Sequence, residues 1–69
     1  MNGEVAKKIN RIAALVQLVN RAQGHRSKDM RRVYKKEFLS LSAKEREKRV
    51  KAMDQMIAIL EGKLKEVVR

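Results

Sequence analysis

SAKEREKRVKAMDQMIAILEGKLKEV, residues 42–67, decides the fold. Val50, Met53, Ile57, Leu60, Leu64 and Val67 follow one another at spacings of three, four, three, four and three. That period places all six on one side of an α-helix. The stretch opens with Ser42-Ala43-Lys44-Glu45, a capping box in which the Ser and Glu side chains each satisfy an otherwise orphan backbone N–H. A long helix over about 43–67 is therefore predicted, with Gly62 as a weak point inside it.

Upstream, the same period returns. Val5, Ile9, Ile12, Val16 and Val19 make one stripe of a helix over about 4–23, and Gly24 stands where a left-handed C-terminal cap is expected. Between the two long helices, Met30, Val33, Tyr34 and Phe38 form the apolar face of a short helix over about 28–39. Ser27 is its expected N-cap, and Asp29 in its first turn suits the positive end of the helix dipole. The chain has no Pro, and no segment alternates apolar and polar residues as a strand would. The predicted fold is all-α: a small three-helix domain covering 1–69, with a long helix, a short basic helix and a long helix. The two long helices are expected to pack antiparallel.

A chain of 69 residues buries only about 60% of its unfolded surface. Small domains compensate with disulfides, metals or oligomerisation. There is no Cys and a single His, His25, with no carboxylate cluster near it, so no metal or cofactor is expected and association is the remaining route. The apolar pattern agrees. Leu15 and Leu18 lie to one side of the first helix's stripe, and Ala52, Met56 and Ile59 to one side of the last helix's stripe. Coherent second stripes mark interfaces, so Leu15, Leu18, Met56 and Ile59 are expected to complete the fold as a homodimer. An intramolecular core and a foreign protein's groove are the other uses such stripes could have.

Charge points to the partner. There are 18 Lys and Arg against 8 Asp and Glu, a net +10. Residues 21–36 alone carry net +6, and 44–51 carry +3, while 52–69 balance. On the middle helix Lys28, Arg31, Arg32, Lys35 and Lys36 share one arc, opposite the apolar face. An ordinary solvated face mixes signs; this one suits a row of phosphates. Arg21 and Arg26 precede it, and Lys44, Arg46, Lys48 and Arg49 open the last helix. His25 adds to the same patch. The two aromatics, Tyr34 and Phe38, sit on the apolar face. Single-strand binders usually offer exposed stacking aromatics, so duplex DNA or structured RNA is the better fit. The order of helix, short turn and helix invites comparison with helix-turn-helix readers in architecture only.

Catalysis is not expected. Ser27, Ser40 and Ser42 read as turn and cap residues, and there is neither a Gly-rich phosphate loop nor a nucleophile at a fixed spacing from a base. No apolar run reaches the roughly 18 residues that span a bilayer, and Met1-Asn2-Gly3-Glu4 lacks the order of a secretory signal. The expectation is a cytoplasmic, non-catalytic nucleic-acid-binding protein, a small regulator or architectural factor. The alternative is an inhibitor or adaptor that docks on an acidic surface of a larger protein machine.

Overall fold

The structure, a computed structural model, describes residues 3–26 and 28–68. It contains three helices, α1 (Gly3–Ala22), α2 (Arg31–Ser40) and α3 (Ala43–Val68), and no strand among the described residues. α1 ends as its sequence predicts. Gly24 adopts φ 77°, its N–H donates to the Arg21 carbonyl at 3.0 Å, and the His25 N–H donates to Asn20 at 2.8 Å. These two bonds define a Schellman motif. Gly62 lies within α3, and nothing stands within 4 Å of where its Cβ would be, so no close approach requires a glycine there.

α2 begins three residues later than predicted. The cause is Asp29, whose carboxylate accepts the Arg31 backbone N–H at 3.0 Å. Short polar side chains compete with helix formation by taking nearby backbone donors. Lys28 and Asp29 therefore stay outside the helix, and its first internal bond runs from the Tyr34 N–H to the Met30 carbonyl. Ser27, the expected cap, lies outside the described residues.

α3 begins where its sequence says. The Glu45 N–H donates to the Ser42 hydroxyl at 3.3 Å, and the Arg46 N–H to the Ser42 carbonyl at 2.9 Å. Ser42→Ala should cost about 1 kcal/mol, read as a lower urea midpoint at unchanged slope. An unchanged midpoint would show that the hydroxyl does not hold this end.

α3 lies mainly against α1, α2 also packs on α1, and the contact of α2 with α3 is slight. Two ion pairs join α1 to α3: Lys8 to Asp54 at 3.1 Å and Arg11 to Glu61 at 4.0 Å. They advance along both helices in the same sense. α1 and α3 therefore run parallel, not antiparallel, and residues 23–42 carry the chain back. Half-buried Leu64 and Val67 agree, since in an antiparallel pair they would project past the start of α1. Ile9, Ile12, Phe38 and Met53 form the central cluster, with Val5, Val16, Tyr34, Leu41, Val50, Ile57 and Leu60 around it.

Leu15 is not an outer residue. At 1% exposure it is the most deeply buried side chain described. Lys8 and Arg11, seven and four positions earlier on the same side of α1, both reach across to α3, which therefore covers that side. Leu18, Met56 and Ile59 are exposed, but they do not form one patch. Leu18 follows Arg11 by seven and shares its edge of the molecule. Met56 and Ile59 are two positions from Asp54 and Glu61, about 200° around α3, and so face the side on which α2 lies.

Candidate nucleic-acid interface

Once Lys28 is left outside α2, the basic arc of that helix consists of Arg31, Arg32, Lys35 and Lys36. Arg32 and Lys36 are exposed and Lys35 is half-buried. Arg31 is already engaged. Its Nη2 donates to Asp29 Oδ2 at 2.6 Å, and its Nε to both carboxylate oxygens at 3.0 Å. Asp29 thus accepts from the side chain and the backbone of one residue. The side-chain bond, then the backbone bond, draws its pKa from 3.8 to about 2, against a small opposing desolvation. What Asp29 contributes to the start of α2 is present above pH 3.8 and is lost only as pH falls towards about 2.

α1 supplies bases that the charge distribution along the sequence did not single out. A shallow groove between α1 and the α2 entry is lined by Lys7, Asn10, Arg11 and Gln17 on one side and by Asp29 and Arg31 on the other. Its continuation is lined by Asn10, Asp29, Arg31, Arg32 and Lys35. Lys7 of α1 and Arg31 of α2 thereby flank one depression, and Arg32 lines the adjoining one. Lys7 and Arg11 are four apart on a helix, away from the Val5–Ile9–Ile12 stripe. Their presence was legible; which neighbour they would face was not.

The bases at the start of α3 divide. Lys44, Lys48 and Arg49 are exposed. Arg46 is half-buried and structural: its Nη2 donates to the Leu39 carbonyl at 2.5 Å, one of the acceptors that every helix C-terminus leaves unpaired. Its guanidinium also lies 5.9 Å from the Phe38 ring centroid, within range of a cation–π contact. Arg21, His25, Arg26 and Lys28 are all exposed around the α1–α2 connection. Tyr34 and Phe38 face the core side of α2 and offer no exposed stacking platform.

A second feature is apolar. Where α2 and α3 scarcely touch, a cleft of about 160 Å3 opens between them, floored by Ile9, Ile12 and Val16 of α1. Tyr34, Glu37 and Phe38 form one wall, and Arg49, Met53 and Met56 the other. Among the described residues no group of three or more His, Cys, Asp and Glu side chains could hold a metal ion, and no helix is long and apolar enough to cross a membrane. Comparison with protein-family models, curated proteins and solved structures found no match to this chain.

Proposed function

We propose that this chain is a non-catalytic nucleic-acid-binding protein, a small regulator or architectural factor that grips the phosphates of duplex DNA or structured RNA. The observation that carries the reading is the basic arc of Arg32, half-buried Lys35 and exposed Lys36 on α2, which continues through Arg31 to Lys7 and Arg11 of α1, and whose lining acid, Asp29, is spent on Arg31. Arg32, Lys36 and Lys7 would hold phosphates as charges, and Arg32 could also fork onto a phosphate or a guanine edge. Arg21, Arg26, Lys28, Lys44, Lys48 and Arg49 would extend the electrostatic footprint, adding to affinity more than to sequence choice.

The proposal is tested by titrating duplex DNA and structured RNA at several salt concentrations. Each phosphate contact contributes about 0.9 to the slope of log affinity against log salt on duplex DNA. Asp29→Asn is the informative variant. Asn still offers an oxygen to the Arg31 N–H, so α2 should begin at the same place, while the Arg31 guanidinium loses its counter-charge. The slope should steepen by roughly 0.9, one added contact. An unchanged slope would mean that Arg31 does not face the nucleic acid. Wild-type protein that binds neither probe near physiological salt would overturn the proposal and bring forward an acidic protein partner instead.

A further inference from the structure

α3 is 26 residues long, yet Met53 is its only fully buried residue among those described. Met56 (37% exposed) lines the apolar cleft, and Ile59 (58%), three positions further along α3, is exposed without lining it. A helix this long with so little covered is short of a neighbour. The cleft's charges identify one. Glu37 stands on the α2 wall and Arg49 on the α3 wall. Both are exposed, and neither side chain has an ionic partner among the described residues. One acid and one base on facing walls make the cleft complementary to itself: a two-fold axis through its mouth sets Glu37 of each copy against Arg49 of the other, twice.

From this self-complementarity we infer that a second copy of the chain seats on the cleft between α2 and α3. Met56 of each copy enters the apolar opening of the other, Ile59 extends the apolar contact, and the two Glu37–Arg49 pairs fix the register. The basic arc does not oppose this arrangement. Arg32 lies about 140° from Glu37 around α2, and Lys36 about 100°, so the two arcs turn outward and stay apart. Leu18, on the far edge beside Arg11, takes no part. The dimer stands independently of the nucleic-acid reading and is measured with no nucleic acid present.

Charge exchange tests it. Glu37→Arg alone and Arg49→Glu alone shift the net charge in opposite directions, yet each replaces both attractive pairs with like-charge pairs. Each should raise the dimer dissociation constant by on the order of ten-fold or more in sedimentation equilibrium. An equimolar mixture of the two variants should recover the wild-type association, because the mixed dimer again has two attractive pairs, one of native sense and one reversed. Met56→Glu should abolish association in every combination. Both charged positions are exposed, and helical circular dichroism of the dilute variants checks that the monomers remain folded. A wild type that stays monomeric at high micromolar concentration would overturn the inference. So would a dimer indifferent to the single exchanges, or one that the mixture fails to restore.

Discussion

Phe38→Ala should leave little folded protein. Phe38 is the buried residue by which α2 joins the cluster of Ile9, Ile12 and Met53. Truncating a buried Phe costs about 3–5 kcal/mol, while a chain of this length is worth only about 3–10 kcal/mol at the usual stability per residue. The Arg46 guanidinium also loses the ring beneath it. Helical circular dichroism and a urea titration at matched concentration read the result, with exposed Val33→Ala as the control, expected within about 0.5 kcal/mol of wild type. A Phe38→Ala protein that unfolds cooperatively with less than about 1 kcal/mol lost would show that α2 is anchored by some other contact.

The second large effect is expected in binding. Arg32→Ala combined with Lys36→Ala removes the two exposed bases of the α2 arc that have no internal ion pair and touches no core residue. If each holds one phosphate, the salt slope on duplex DNA falls by about 1.8, which at about 0.15 M salt is a loss of roughly thirty-fold in affinity. A uniform loss across sequences assigns the pair to backbone contacts; a loss on one sequence assigns it to base reading. Charge reversal of Lys63 and Lys65, in the balanced tail, is the control and should matter less. Unchanged affinity and slope in a folded double variant would remove α2 from the interface.

The helices were legible because their signals are local. The stripes of α1 and α3, the Ser42 cap and the left-handed Gly24 each depend on residues within one or two turns. The start of α2 is not legible in the sequence, because an Asp near a helix start suits the dipole and a nearby backbone donor equally well, and only the structure shows Asp29 taking the Arg31 N–H. Leu15 shows the other limit. Periodicity marks a side of a helix as apolar, but not which neighbour covers it, and α3 happens to cross on Leu15's side. The candidate site was half visible for the same reason. The arc on α2 is a property of one helix, whereas its junction with Lys7 and Arg11 depends on where α1 lies, and the loss of Arg31 and Arg46 to internal partners depends on single contacts.

The parallel course of α1 and α3 has a kinetic consequence. In an antiparallel helical hairpin the first contacts lie near the turn and later ones zip outward, each closing a loop only slightly longer than the last. Here the principal interface offers no short route: the pair that joins Lys8 to Asp54 spans 46 positions, and no interhelical contact between the two long helices is close in sequence. A large loop must close before any of that surface is gained. The α1–α2 unit is free to form first, and α3 should arrive as the committed step, at a rate set by that non-local closure.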